Sequence, residues 1–449
     1  MRRAPPAAHA KRGHRQSAPS QAVGEPAEQG PGVRLVAARA GDHTAIHQFL
    51  TAVFQGPTRD GFHSSLDDPF YEPHDRLVVK RGGRIISHLQ LTQRVMCLGS
   101  ARLPVAGLHW LGTLPEFRRQ GHARQLLEAA ESVMADNHTL LSVLTTREPR
   151  FFSSLGWAVC GRQSQARAGS RDLLAQLSVR GLPPAEQPLT IRPWRQVELP
   201  ALMRLYQENT ATAAGPYQRN EAYWRWLISR KEFDQVWVAV EGPDRLELDF
   251  AGSQVVGYAV TRDDRVIELL TAADHPTAAE QLLARACSEA IERDQHSISL
   301  SVPPGDRLFD LFQTAGGTLH QAEAFQGEVQ MMKLIDPRRL LRAMAAELHR
   351  RAVCAGLARR CELGLQVDAQ KYHLVVSRRS VQVRPHRLGR SYLTLSMPEL
   401  TRLVVGHLDV GESIETGRVA ASTRLAGEIA QVLFPRLPLW RPSLDDLVS

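Results

Sequence analysis

The residues best suited to chemistry form one short run, Arg118-Arg119-Gln120-Gly121-His122-Ala123. An apolar segment from Leu108 to Thr113 and a Leu-Pro-Glu turn precede it. After it, apolar residues recur at Leu126, Leu127, Ala130, Val133 and Met134, which is helical spacing. The order is therefore strand, tight loop, helix. The first N–H groups of a helix have no partner within it, and the dipole is positive at that end. A glycine in the loop lets the backbone approach a bound group. Two arginines beside it add fork-shaped donors. Such a loop can grip a pyrophosphate.

Other polar groups are weaker candidates. His43 and His47 stand four apart on a helical stretch, but no third ligand lies near them in sequence. They read as a solvated pair, and no metal site is expected. Carboxylates that could remove a proton are Asp67, Asp68, Glu72 and Asp75 in one acidic loop, Glu148, and Asp445 and Asp446 near the C-terminus. Each of them, taken alone, reads as a solvated surface group. Tyr71 is a candidate proton donor.

These groups need a scaffold, and the chain is long enough for several domains at 449 residues. With 43% hydrophobic and 23% charged residues, its composition is that of a globular protein. The five cysteines include no CxxC pair, which speaks against a disulfide framework or a zinc site and suits a reducing, cytoplasmic setting. No apolar run has the length of a membrane span, and the N-terminal arginines lead into no apolar core. The net charge of +8 is spread along the chain without a dense basic patch, so nucleic acid is not an expected partner. A homo-oligomer is left open.

Residues 1–32 are rich in Ala, Pro, Gln, Gly and Arg and read as a disordered basic tail. From Val33 strands and helices alternate, which predicts an α/β unit with a mixed sheet over 33–185. A second α/β unit over 186–326 repeats features of the first. Gln125-Leu126-Leu127 recurs as Gln281-Leu282-Leu283, and Phe152 with Gly156 recurs as Phe312 with Gly316. The loop does not recur. Asp274-His275-Pro276-Thr277 stands in its place, without arginine or glycine. Residues 327–449 read as an α+β module. A helix opens at Asp336-Pro337, strands follow at CELGLQVD, KYHLVVS and SVQVRP, and helices close the chain.

Strand, Leu-Pro-Glu, then Arg-x-x-Gly-x-Ala opening a helix resembles the acetyl-CoA motif of the GNAT superfamily of N-acetyltransferases. The ending Phe151-Phe152-Ser153-Ser154-Leu155-Gly156-Trp157 is also similar to that superfamily. There the position of Phe152 often holds the tyrosine that protonates the departing thiolate, and phenylalanine has no proton to give. The second unit resembles a degenerate GNAT domain, and the third a sterol-carrier-protein-like domain on phrases such as Leu433-Phe434-Pro435 and Trp440-Arg441-Pro442. Two GNAT-like domains followed by such a module resemble the Eis (enhanced intracellular survival) family. The resemblance implies acetyl transfer from acetyl-CoA to a primary amine of polyamine, aminoglycoside-like or lysine type. It implies amides of Leu111, Gly112 and Thr113 toward the pantetheine and acetyl oxygen, with Gly112 easing a bulge. It places Gly121, His122 and Ala123, with Gln120, Arg118 and Arg119, at the pyrophosphate. It also implies that the terminal carboxylate of Ser449 is the base, although Leu-Val-Ser differs from the aromatic terminus common in that family. The alternative is a non-catalytic acyl-CoA or lipid-binding protein that kept the fold, and Phe152 favours it.

If the loop grips a pyrophosphate, Gly121→Val, or Arg118→Glu with Arg119→Glu, should abolish acetyl-CoA binding in calorimetry while the circular dichroism spectrum stays unchanged. An unaltered affinity in both variants would sink the assignment.

Overall fold

The computed structural model describes residues 32–161, 163–180, 188–242, 254–325, 327–357 and 361–446. The expected disordered tail lies outside the described residues except for Gly32, and so does Ser449.

The first unit contains β1 (Val33–Ala37), α1 (His43–Phe54), α2 (Arg59–Leu66), β2 (Arg76–Arg81), β3 (Arg84–Leu98), β4 (Ala101–Thr113), α3 (His122–Asp136), β5 (Leu141–Thr146), α4 (Pro149–Ser153) and β6 (Ala158–Val159). The chain continues through β7 (Gln163–Gly169), α5 (Ser170–Arg180), β8 (Thr190–Pro193), α6 (Leu199–Thr210), β9 (Ala214–Tyr217), α7 (Glu221–Ser229), β10 (Gln235–Glu241), β11 (Gln254–Arg262), β12 (Arg265–Thr271), α8 (Ala278–Glu292), β13 (Ser297–Ser301), α9 (Leu308–Thr314) and β14 (Thr318–Ala322). Then come β15 (Ala324–Phe325), β16 (Glu328–Leu334), α10 (Pro337–Ala343), α11 (Ala345–Cys354), β17 (Cys361–Val367), β18 (Gln370–Val376), β19 (Val381–Pro385), β20 (Tyr392–Leu395), α12 (Met397–Val404), α13 (Val410–Glu415), β21 (Ala420–Ala421) and α14 (Arg424–Leu433).

Three sheets result, with the mixed α/β architecture the sequence predicts. The first runs β1-β2-β3-β4-β5-β16-β15, with β6 on β16 and β9 on β3. The second runs β14-β7-β13-β12-β11-β10-β8. The two are built alike, because β4-α3-β5 in the first corresponds to β12-α8-β13 in the second, with a parallel strand pair in each. The repeated residues fall on equivalent elements. Leu126, Leu127, Leu282 and Leu283 are buried, as are Phe152 and Phe312, and Gly156 and Gly316 both turn the chain at positive φ.

The sheets exchange strands across the segments 33–185, 186–326 and 327–449. β7 lies within the segment 33–185 but pairs with β13 and β14 of the second sheet. β16 follows the second unit but pairs with β5 and β6 of the first. The first sheet is thus completed by a strand reached only after the chain has passed through the second. Periodicity along the sequence reports the strands but not their neighbours.

In the third sheet the order is β19-β18-β17-β20-β21. The continuous helix expected after Asp336-Pro337 is two helices, α10 and α11, meeting at Met344, and the Asp336 carboxylate caps α10 by accepting from Arg339 N at 2.9 Å. This unit shares one apolar core with the first sheet, in which Leu98, Val105 and Met332 join Leu340, Leu365 and Leu433.

Behind α14 the chain returns to the other units. Trp440 N donates to Ala214 O of β9 at 2.9 Å. Asp445 then meets Arg219, whose guanidinium also holds Glu268 at 2.6 and 2.9 Å, and all three side chains are fully buried. Tyr206 and Trp224 cover the guanidinium, at 4.0 and 4.6 Å from their ring centres. Removing that cation strands two buried carboxylates. Arg219→Leu should therefore cost about 3–5 kcal/mol in equilibrium denaturation, and a loss below about 1 kcal/mol would contradict this account of the cluster.

Candidate active site

The strand-loop-helix read from the sequence is β4, the 114–121 loop and α3. The loop holds Arg119 at φ 62° and Gly121 at φ 85°, both left-handed. Gly121 is the N-cap of α3, no side chain caps that helix, and no atom lies within 4 Å of where a glycine Cβ would project. The first intrahelical bond is Gln125 N to Gly121 O, at 3.0 Å. Arg118, Arg119, Gln120 and Arg124 are exposed, and none of the three arginines forms an ion pair among the described residues. Arg118 Nε donates to Thr113 O at 3.2 Å, tying the loop to the end of β4. His122 is buried beside Gln125, so only its backbone can serve a ligand. An open helix terminus, a bare glycine and three unpaired guanidinium groups fit a pyrophosphate. The second copy does not offer this. Its α8 begins after Thr277 in ordinary helical conformation, and Arg307 donates to the carbonyl of Pro276 at the turn.

β4 and β5 are parallel partners only from Val105–Leu141 to Gly107–Val143. Beyond that point β4 runs on to Thr113 without β5, and His109 to Thr113 become half-buried. On the other side of β4 the register with β3 jumps between His88 and Gln90, so Trp110 and Leu111 have no partner there. This is the bulge expected here, but its strained residue is Trp110, at φ 55°, and not Gly112. Gly112 answers a different need. A Cβ there would come within 2.7 Å of Phe54 on α1, so the glycine lets α1 lie against the strand. Two adjacent side chains of β3 hold β4 carbonyls in this region. Ser87 Oγ donates to Gly112 O at 2.7 Å, and His88 Nδ1 donates to Trp110 O at 3.0 Å.

Beside the bulge, α1 and α2 cover a buried polar network. Arg76 is 1% exposed and forms no ion pair among the described residues. Its Nε donates to Tyr71 Oη at 3.2 Å, Nη1 to His88 Nε2 at 3.4 Å and Nη2 to Ser65 Oγ at 3.4 Å. Tyr71 Oη in turn lies 2.9 Å from His43 Nε2. Phe62 and Tyr71 flank the guanidinium at 5.0 and 5.4 Å. Burial pushes the Tyr71 hydroxyl up and His43 down, so at neutral pH the tyrosine keeps its proton and the histidine is neutral.

The carboxylates separate into two groups. Asp68 is buried in an ion pair with Arg94, whose guanidinium lies over Tyr223. Asp75 is buried, accepts from Glu72 N at 2.9 Å and is shifted up by burial. Asp445 is held by Arg219, and Asp446 lies 2.7 Å from Arg441. Asp67, Glu72 and Glu148 are exposed. Phe152 is buried against Trp157, with ring centres 6.0 Å apart. His43 Nε2 lies 2.9 Å from Tyr71 Oη and His47 Nε2 3.1 Å from Pro57 O. At the last described residue, Asp446 O accepts from Arg230 at 3.2 Å. Arg230 lies over Trp226, and the Trp226 indole N–H donates to Ser64 O of α2 at 2.8 Å. The described C-terminal segment thus reaches the helix that supplies Ser65 only through Arg230 and Trp226. Sequence reasoning missed Arg76, Ser87, His88 and Arg124. The first three sit in ordinary strand patterns and meet only through pairing, whereas Arg124 was legible as a further arginine in the first turn of α3.

Residues 34–160 match the family model described as an acetyltransferase (GNAT) domain. The chain is similar in structure to a GCN5-related N-acetyltransferase from Anabaena variabilis, at 17% identity and TM-score 0.68 over 91% of this chain and 99% of that one. It is likewise similar to one from Kribbella flavida, at 17% identity and TM-score 0.69 over 92% and 98%. Eis1 from Mycobacterium abscessus aligns at 16% identity and TM-score 0.59 over 90% and 97%. No curated protein matches the sequence.

His88 is buried and His109 half-buried beside Thr92, and desolvation lowers each to about 3. In the unfolded chain they titrate near their ordinary value, about 6.5. Between those values the unfolded state binds protons that the folded state refuses, so stability falls as pH falls from about 6.5 toward 3, by up to about 1.4 kcal/mol per pH unit for each histidine. Denaturation midpoints at pH 7, 6 and 5 should show this slope, and His109→Gln should reduce it. A slope unchanged in that variant would refute the assignment for His109.

Proposed function

We propose that this chain, whose residues 34–160 are a GNAT acetyltransferase domain, moves an acetyl group from acetyl-CoA to a primary amine of polyamine, aminoglycoside-like or lysine type. The observation that carries the proposal is the pairing of two features on one strand-loop-helix. An uncapped helix terminus with Gly121 open suits the pyrophosphate, and a few residues earlier β4 leaves β5 and turns its backbone at Trp110. In this reading Gly121, His122 and Ala123 give N–H groups to the pyrophosphate, with Arg118, Arg119, Gln120 and Arg124 beside it. Leu111, Gly112 and Thr113 face the pantetheine and acetyl group. The second unit is a degenerate copy without a cofactor site, and the last unit is sterol-carrier-like.

The reaction needs a neutral amine, whose lone pair attacks the thioester carbon. The carbonyl oxygen gains charge, the C–S bond breaks, and the thiolate takes a proton. A backbone donor aimed at that oxygen acts when the charge develops. Among the carboxylates considered as base, Asp68, Asp445 and Asp446 are engaged by arginines and Asp75 is driven toward its neutral form. Asp67, Glu72 and Glu148 stay exposed, and in this reading the base is the terminal carboxylate of Ser449, as the resemblance to the Eis family implies. Phe152 cannot protonate the thiolate, and Tyr71 gives its hydroxyl to Arg76 and His43. Water is left as the acid.

Phe152 also favours the second reading, a non-catalytic acyl-CoA binder. Thiol release from acetyl-CoA with a panel containing spermidine, an aminoglycoside and lysine separates the two. Turnover is the expected result, whereas silence across the panel with acetyl-CoA binding intact would favour the binder. Appending residues after Ser449 should lower turnover by roughly 10²–10⁴-fold, the usual contribution of a general base. Full activity of the extended chain would remove Ser449 from the mechanism.

A further inference from the structure

The polar network under α1 and α2 does more than satisfy its own members. It contains a whole buried positive charge that forms no ion pair with a carboxylate among the described residues, and its neighbour Asp75 accepts from Glu72 N instead. Such a charge is costly to bury, and neutral partners repay only part of the cost. Trp110 is a second costly feature, because a bulky residue at φ 55° persists only where its surroundings over-determine it. One chain of hydrogen bonds joins them. Arg76 Nη1 donates to His88 Nε2, so the proton of that ring sits on Nδ1 and is given to Trp110 O.

A trans peptide points its carbonyl and the following N–H in opposite directions. With the Trp110 carbonyl turned onto His88, the Leu111 N–H faces away from it. Neither Trp110 nor Leu111 has a register partner on β3, and the pairing of β4 with β5 has already ended at Gly107. Resting on the function proposed above, we infer that Arg76 is a positioning residue: acting through His88, it sets the Trp110–Leu111 peptide so that the Leu111 N–H receives the acetyl carbonyl oxygen. A guanidinium suits this task because its planar fork serves Tyr71, Ser65 and His88 together, which an ammonium cannot do in one plane.

Acetyl-CoA and CoA share the pyrophosphate and differ in the acetyl group, so the ratio of their affinities reads the bulge alone. Calorimetry on the full chain should show Arg76→Met binding CoA nearly as before, while the acetyl-CoA to CoA affinity ratio falls about fivefold, the worth of one hydrogen bond. Turnover should fall by roughly 10²-fold, as for loss of one oxyanion donor. His88→Leu should reproduce both effects if Arg76→Met fails to fold. His88→Gln should restore them, because its amide can donate to Trp110 O and accept from Arg76. An equal loss for both ligands would mark Arg76 as merely structural, and an unchanged ratio in Arg76→Met and His88→Leu would overturn the inference. The ratio is measured without any amine, so a chain silent toward every amine would defeat the proposed function and still leave this test in force.

Discussion

β4 and β5 stay paired from Val105–Leu141 to Gly107–Val143 and then part. The candidate site depends on that parting. A parallel pair needs a crossover, and α3 is the crossover here, so its N-terminus rises at the end of the sheet where the strands open. The backbone donors at the top of β4 and those at the start of α3 then stand near one another because the chain has only a short loop between them. Had the ladder continued to Thr113, its amides would have been spent on β5.

The opening is kept by packing on both its strands. On the far side, β5 is paired along its length by β16, from Leu141–Leu334 to Thr146–Val329. That strand arrives from beyond the second unit, so the first sheet is complete only once the second has been traversed. The reciprocal placement of β7 between β13 and β14 ties the two units in the same way. The C-terminal segment adds a third tie, through Asp445 on Arg219. Three units joined by exchanged strands and a buried ion cluster hold α2, α7 and the tail in fixed relation.

Buried arginines recur in the interior of both sheets. Arg94 and Arg219 each meet a carboxylate and lie against aromatic rings. Arg76 has the rings but no ion-paired carboxylate among the described residues. The contrast makes its neutral partners, above all His88, carriers of its charge toward the bulge. The second sheet has the same strand-helix-strand order without such a loop because strand pairing and core leucines do not depend on Gly121 or its arginines. Leu282, Leu283 and Phe312 are buried there as their counterparts are in the first copy.

Much of this was legible in the chain itself. The Arg-Arg-Gln-Gly-His-Ala loop, the helix behind it and the repeat of Gln-Leu-Leu and Phe…Gly are local patterns, and local patterns follow from backbone geometry and hydrophobic spacing. That Phe152 carries no hydroxyl is also a fact of residue type alone. What the tertiary structure decided is which groups are neighbours. The strand exchange, the bulge at Trp110 in place of Gly112, and the meeting of Tyr71, Arg76 and His88 all arise between segments distant in sequence. A register or a buried hydrogen bond is chosen by the partner strand, and the residue types on one strand do not encode its partner. The loop was therefore specified by its own residues, while the geometry at the bulge was specified by residues on β2 and β3.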